Sequence, residues 1–464
     1  MSNFQIGLIG LGVMGRNLAL NWRDHGVEVF GYDIDIESRQ RFEAERAGRV
    51  FDDISELIAV LPRPRMLCLL IPAGEPVKQR VEILFPLLAA GDIIVDAGNS
   101  HYRDTEALQA RLASSGITLL GIGLSGGERG ARHGPAMMAG GDLLAIQRVT
   151  PLFEPIVAHA ADGSACFTVV GPGGAGHFAK MMHNGIEYAD MQLIAEVVYL
   201  MRHLGGLAPA EIAEVLATWN RGELASYLLE VSIEVLAAKD VTDGEPLIDK
   251  IVDVASQKGT GQWAVTAAME LGVSVPSIAA AVFARCQSAC IEERRMLVQA
   301  LPCFEQVRKS KLLTLLHDAM VGGRIAAFAQ GFSVIAAASQ AYEWNSALGG
   351  LARGWRGGCI IRARLLEDIA DCFDLQPNLL SLLLDSRFAM RIRNTVQSWR
   401  EVLSLAVKHE LPVPIMSASL AWLDTFSRDR LWTDLIQGQR DCFGSHGFRR
   451  IDMLGSHHFG WKMR

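Results

Sequence analysis

Ile9-Gly10-Leu11-Gly12-Val13-Met14-Gly15 is the stretch on which the fold turns. An apolar run over 4–9 precedes it and helical periodicity over 13–25 follows, which places G-x-G-x-x-G between a strand and a helix. In that setting Gly10 makes the tight turn, Gly12 lets backbone approach a pyrophosphate, and Gly15 lets helix and strand pack closely. The helix start at Val13 and Met14 supplies N–H donors to phosphate. A glycine turn that serves packing alone is the plainer alternative. The second apolar run, 27–33, ends in Asp33, eighteen residues beyond Gly15. A carboxylate there can accept hydrogen bonds from the adenosine ribose hydroxyls and repels a 2′-phosphate. A dinucleotide cofactor is therefore expected, NAD ahead of NADP. The competing reading of Asp33 is a strand-end or helix-capping carboxylate. Arg39 and Arg41 fall in the next helix and are expected to be solvated.

Further apolar runs over 66–71, 93–96, 117–120 and 166–170 alternate with helical segments, one of them over 54–60 and capped by Asp52 or Asp53. Such a series predicts an α/β unit, a doubly wound, Rossmann-like parallel sheet covered on both faces. After Gly171-Pro172-Gly173-Gly174 the pattern changes. Helical stripes fill 176–425, with breaks expected at Gly205-Gly206, Asp243-Gly244, Gly322-Gly323, Gly349-Gly350 and Gly357-Gly358. Residues 439–464 are rich in Gly, Arg and His and have little helical period. Such a tail is frayed or ordered by contact with something else. The expected organisation is a dinucleotide-binding domain over 1–174, an all-helical substrate and dimerisation domain over 175–430, and a tail over 431–464.

The 464 residues are 50% hydrophobic and 20% charged, with 44 basic and 51 acidic side chains and a net charge of −7. This excludes a disordered chain and argues against a nucleic-acid coat. Mean hydropathy is +0.20. The most apolar windows, 325–339 and 278–284, fall short of the roughly 20 clean apolar residues of a membrane span and read as buried helices. The N-terminus lacks a basic, signal-like leader. Cysteines 68, 166, 286, 290, 303, 359, 372 and 442 show no metal-ligand spacing, so free thiols in a reducing cytoplasm and no metal site are expected.

The stretch Gly176-His177-Phe178-Ala179-Lys180-Met181-Met182-His183-Asn184-Gly185-Ile186-Glu187-Tyr188 opens the helical region. At about 100° per residue, Lys180, His183, Asn184, Glu187 and Tyr188 share one face, and Lys180 and Glu187 stand about 10 Å apart along the axis. That spacing lets an amine and a carboxylate address opposite ends of one small substrate. A solvated face with an ion pair would more often repeat Lys and Glu. Two further segments look like anion binders: Ser125-Gly126-Gly127 ahead of Glu128, and Gln257-Lys258-Gly259-Thr260-Gly261, whose bland alternative is an ordinary turn between helices. Arg285 interrupts an apolar helix and is expected to be buried against an anion or a carboxylate.

Together these residues resemble the 6-phosphogluconate dehydrogenase family over nearly the whole chain. The glycine motif, Gly98-Asn99-Ser100, Ser125–Glu128 and Gly176–Tyr188 with Asp190-Met191-Gln192-Leu193 all match family motifs. So do Gln257–Gly261 with Trp263, Trp355-Arg356-Gly357-Gly358-Cys359-Ile360-Ile361-Arg362, and Gln439-Arg440-Asp441 with Phe443-Gly444-Ser445-His446. The resemblance implies oxidative decarboxylation of 6-phosphogluconate, with Lys180 as general base and Glu187 as the acid that protonates C1. It implies that Asn99, Ser125, Gly126, Gly127, His183 and Asn184 hold the sugar-acid end. Tyr188, Lys258, Thr260 and Arg285 would bind the phosphate. Gly10, Gly12, Val13, Met14, Gly15, Asp33, Ile71, Ala73 and Asn99 would contact the cofactor. Arg440 and His446 would reach the partner's active site in a homodimer. No nucleic-acid or membrane partner is implied.

Four departures stand out. Members that use NADP carry Asn-Arg-Ser/Thr where this chain has Tyr32-Asp33-Ile34, which again points to NAD. Pro72 replaces a common lysine between Ile71 and Ala73. Ser256 stands where Gly or Ala is usual, and the ending after His446 differs from the common one. Two other readings compete. One is a β-hydroxyacid dehydrogenase acting on an unphosphorylated acid, which would not need Lys258, Thr260, Arg285 and Arg440 together. The other is a non-catalytic nucleotide-sensing dimer, against which the retention of Lys180, Glu187, Ser125 and Asn99 argues.

Overall fold

A computed structural model of the chain describes residues 4–300 and 311–461. Eight strands form one sheet: β1 (Gln5–Ile9), β2 (Glu28–Tyr32), β3 (Arg49–Val50), β4 (Met66–Leu69), β5 (Ile93–Asp96), β6 (Thr118–Ser125), β7 (Ala136–Gly140) and β8 (Phe167–Gly171). Their spatial order is β3-β2-β1-β4-β5-β6-β7-β8. The order reverses between β1 and β4, and there the strand ends open a crevice. Helices cover both faces through two apolar clusters, one around Trp22, Phe42 and Phe153 and the other around Leu57, Val81 and Leu112.

The sheet departs from the all-parallel expectation in one place. β6 runs on to Ser125, past the predicted end at residue 120, and β7 returns antiparallel to it. The extension contains Gly121 and Gly123, beyond the apolar run that marked the strand. Their physical purpose is close approach: a Cβ at Gly121 would lie 2.9 Å from His177 Nδ1, and one at Gly123 would lie 2.4 Å from Lys180 Cβ. Bare backbone there lets the next domain's first helix lie on the sheet.

That helix, Ala175–His203, is 29 residues long and crosses from the sheet into a helical body, where Leu312–Ala341 packs beside it. The expected break at Gly322-Gly323 is absent. Both glycines sit inside Leu312–Ala341, where Cβ atoms would meet Trp399 Cε3 at 2.8 Å and Leu193 Cδ1 at 2.9 Å. They mark helix crossings. Gly349-Gly350 likewise lies within the helix Leu348–Gly354. Leu312–Ala341 is long and apolar enough to cross a membrane, but 89% of its most apolar window is buried inside the protein.

The tail is more ordered than its composition predicts. A helix spans Thr433–Gly444, and β9 (Phe448–Arg449) pairs antiparallel with β10 (Ser456–His457). Asp441, only 3% exposed, organises it by accepting hydrogen bonds from Gly447 N, Phe459 N, Trp461 Nε1 and His458 Nδ1. These donors, Trp461 foremost, hold the Asp441 carboxyl well below the usual range. The seven described cysteines are free; Cys303 lies outside the described residues.

Candidate active site

The glycine turn closes on itself before any ligand is considered. Gly10 has φ +103°, and a Cβ on it would strike Leu70 O at 2.4 Å. A Cβ on Gly15 would overlap the Gly10 carbonyl oxygen. A Cβ on Gly12 would meet nothing within 4 Å, so that side of the turn faces clear space. The helix Val13–Asp24 has no side-chain cap, which leaves its first N–H groups free for an anion, and Val13 is half exposed beside them. These features fit a dinucleotide pyrophosphate.

Asp33 is not the cap of the next helix; Asp35 is, through Ser38 N. The Asp33 carboxylate accepts from Leu11 N at 2.6 Å and from Asp35 N at 3.0 Å, which fixes it across the turn. Ile34 is 74% exposed next to it. Arg39 is not solvated as expected. Its guanidinium folds back to donate to Asp33 O at 2.7 Å and pairs with Asp52 at 3.2 Å. Arg41 pairs with Glu37 on the surface.

Beyond the crevice lies a cavity of about 730 Å³. From the sheet domain it takes Ile71, Pro72, Ala73 and Asn99; from the Ala175–His203 helix it takes Asn184, Glu187 and Tyr188. Lys258, Thr260 and Arg285 close the other side. Lys180 borders a small recess that shares Asn99, Asn184 and Thr260 with this cavity. Ser125 Oγ is 3.1 Å from His183 Nε2, which ties the Ser125-Gly126-Gly127 turn to the same helix. Gly126 and Gly127 both have positive φ, +109° and +60°.

Burial sets the protonation states. It pushes the Lys180 amine down, with Glu187 and the Cys359 thiol pulling the other way. It pushes the Glu187 carboxyl up, against Lys180 and Arg285. Both shifts favour neutral forms, an amine that can accept a proton and an acid that can give one. His183, fully buried, is held well below its ordinary value, first by burial and then by Lys180. Its Nδ1 is 3.7 Å from Glu187 Oε2.

Arg285 differs from expectation. It is half buried and forms no ion pair with a carboxylate among the described residues; its guanidinium lies 3.6 Å over the Tyr188 ring and donates to Ser256 O at 3.3 Å. Lys258 is exposed in the cavity mouth, and Thr260 begins the helix Thr260–Glu270 behind Gly259 at φ +89°. Lys258, Thr260 and Arg285 thus bring two cations and a hydroxyl to the wall of one cavity, a donor set that suits a phosphate.

Arg440 and His446 are not brought to this cavity within one chain. Arg440 donates to Gln437 Oε1, and His446 borders a separate hollow in the tail. Two residues with no role in the motif reading, Ser100 and His177, border the Lys180 recess. Both stood inside quoted motifs, but their orientation could not be read there.

Comparison with known proteins follows the same division. Residues 5–171 match the NAD binding domain of 6-phosphogluconate dehydrogenase, and residues 176–461 match the C-terminal domain of 6-phosphogluconate dehydrogenase. A decarboxylating 6-phosphogluconate dehydrogenase of Synechococcus elongatus is 43% identical, over 98% of this chain and 99% of its own length. An NADP(+)-dependent, decarboxylating relative from Bacillus subtilis is 42% identical, over 99% of this chain and all of its own. The solved structure of Plasmodium falciparum 6-phosphogluconate dehydrogenase, described with NADP+ and with 6-phosphogluconate, superimposes with TM-score 0.95 at 36% identity, covering 98% of this chain and all of that one.

Proposed function

This chain belongs to the 6-phosphogluconate dehydrogenase family, and we propose that it oxidises and decarboxylates 6-phosphogluconate to ribulose 5-phosphate and carbon dioxide. The observation that carries the reading is the cavity itself. A buried amine and a half-buried carboxyl lie on one helix, Lys258, Thr260 and Arg285 line the same cavity, and a dinucleotide crevice opens beside Asn99.

Neutral Lys180 takes the proton of the substrate 3-hydroxyl. A nicotinamide cofactor held by the Gly10–Gly15 turn, Asp33 and Asn99 would supply the acceptor for the hydride from C3. The resulting 3-keto acid loses carbon dioxide because the carbonyl beside the breaking bond takes up the electron pair as an enolate. Glu187, whose carboxyl burial pushes up toward the protonated form, then protonates the former C2 of the substrate, which becomes C1 of ribulose 5-phosphate. Ser125, Gly126, Gly127, His183, Asn184 and Asn99 hold the acid end, and Tyr188, with Arg285 stacked on it, completes the phosphate end.

The finer cofactor reading is NAD ahead of NADP. Relatives are named for NADP, but this chain sets a carboxylate at Asp33, an exposed Ile34 and an uncharged Pro72 around the place of a 2′-phosphate. Arg39 is already engaged by Asp33 O and Asp52, so its charge is partly offset.

We divide the chain at 174/175 and 430/431, and assign the tail to a homodimer in which Arg440 and His446 enter the partner's cavity. In the single chain they have no anionic ligand, and the tail exposes Trp432, Leu435, Phe443 and Leu454, an apolar surface that suits a partner. The direct test is substrate phosphate dependence. 6-Phosphogluconate should turn over with release of carbon dioxide, and gluconate should not. Equal rates on both would favour a β-hydroxyacid dehydrogenase of other specificity.

A further inference from the structure

His177 stands one turn before Lys180 on the same helix, and residues three apart share a face. Both press on bare backbone of β6, at Gly121 and Gly123. His177 is 1% exposed, and its Nδ1 is 2.6 Å from Thr105 Oγ1. Burial disfavours its charged form, against the Asp96 carboxylate and the facing carbonyls of Asp96 and Gly98. A neutral ring has one donor and one acceptor nitrogen. Thr105 Oγ1 satisfies one of them, and Nε2 has no hydrogen-bond partner among the described residues.

Ser100 shows the same feature from the opposite wall. It is 5% exposed, and its Oγ has no partner either. Ser100 follows Asn99 on the turn after β5. Ser100, His177 and Lys180 border one recess of about 10 Å³. A single water needs about 10–15 Å³ measured in this way, together with two to four polar partners. Buried polar groups in native proteins are almost always paired with protein or with ordered water.

We propose that Ser100 and His177 hold one water against the Lys180 amine, and that this water aims the lysine at the substrate hydroxyl. The two side chains are positioning residues: they act on Lys180 through the water and touch no reacting atom. The arrangement also couples the domains, because Ser100 belongs to the sheet and His177 to the helical body. Seating Asn99 in its turn and orienting Lys180 then become one event. The inference rests on the reading of Lys180 as the base.

The test uses the full-length enzyme, 6-phosphogluconate and its 3-deuterated form. The wild-type rate is read first, since its absence would strike at the assigned reaction and not at the water. Ser100→Ala should lower kcat by about tenfold or more, because misplacement of a catalytic group by a fraction of an ångström is costly. KM for substrate and for cofactor should stay within about twofold. The deuterium isotope effect on kcat should rise as proton and hydride transfer become slower. Ser100→Thr, which keeps the hydroxyl, should recover most of the rate, and His177→Asn should behave like Ser100→Ala. A crystal structure should show water within hydrogen-bond distance of all three groups. Wild-type kcat and isotope effect in Ser100→Ala would overturn the proposal, as would a recess that is dry or filled by the cofactor.

Discussion

The Leu11 amide donates to Asp33 Oδ2 at 2.6 Å, so the residue that follows β2 is locked onto the glycine turn it faces. With Oδ1 accepting from Asp35 N, the carboxylate is held in one orientation before any cofactor binds. A preset charge discriminates better than a mobile one. We therefore predict that kcat/KM favours NAD over NADP, and that Asp33→Ala narrows the gap by about tenfold, the worth of one charge-assisted hydrogen bond. Parallel initial rates with the two cofactors measure it. A wild type that uses NADP as well as NAD contradicts the prediction.

The roles proposed for Lys180 and Glu187 are separable. Lys180→Met should reduce kcat by about 10²–10⁴-fold, the range for loss of a general base, with KM little changed. Glu187→Gln should slow turnover by a similar factor while leaving oxidation at C3 competent. A single-turnover experiment then shows cofactor reduction ahead of ribulose 5-phosphate formation. Simultaneous loss of both signals would remove Glu187 from the protonation step.

Arg285 lies on the Tyr188 ring with no carboxylate ion-paired to it among the described residues. Removing a charged partner of a bound phosphate costs on the order of 1.5–3 kcal/mol. Arg285→Ala and Lys258→Ala should each raise KM for 6-phosphogluconate about 10- to 100-fold. Cofactor KM should not move. A parallel rise in both constants would place these cations elsewhere than at the phosphate.

Deletion after Gln439 removes Arg440, His446 and the whole cluster around Asp441. Activity should be lost with the dinucleotide crevice intact, so that cofactor binding followed by fluorescence persists. A fully active truncated protein would refute tail exchange.

Glu196, 3% exposed, accepts from Ile415 N and Met416 N at the start of the helix Pro414–Phe426. Burial pushes its carboxyl up to about 7. Between its ordinary value and about 7 the folded protein binds more protons than the unfolded chain, so stability is greatest at the acid end of that window and falls as pH rises through it. The loss is on the order of 3 kcal/mol. Glu196→Gln should flatten that slope, read as Tm against pH.

The dinucleotide half was legible because the motif sat between a strand and a helix, and Asp33 closed the pattern. The polar face from Lys180 to Tyr188 was legible because helical geometry is periodic. What sequence hid was long-range packing. Gly322 and Gly323 read as a break and Gly121 and Gly123 fell outside the expected strand, yet each marks a place where a neighbouring side chain needs the room. Arg39 looked solvated because nothing nearby in sequence announces Asp52 or the Asp33 carbonyl as its partners. Arg285 looked buried because its neighbours are apolar, but that helix presents Phe283 and Arg285 outward. Asp441 looked like one charge in an irregular tail, and its four donors arrive from as far as Trp461.

The most direct measurement follows carbon and hydride together. With 6-phosphogluconate labelled at C1 as ¹³C, labelled carbon dioxide should be released in one-to-one ratio with reduced cofactor, and ribulose 5-phosphate should accumulate at the same rate. Reduction of cofactor without labelled carbon dioxide, or no reduction at all, would contradict oxidative decarboxylation at this site.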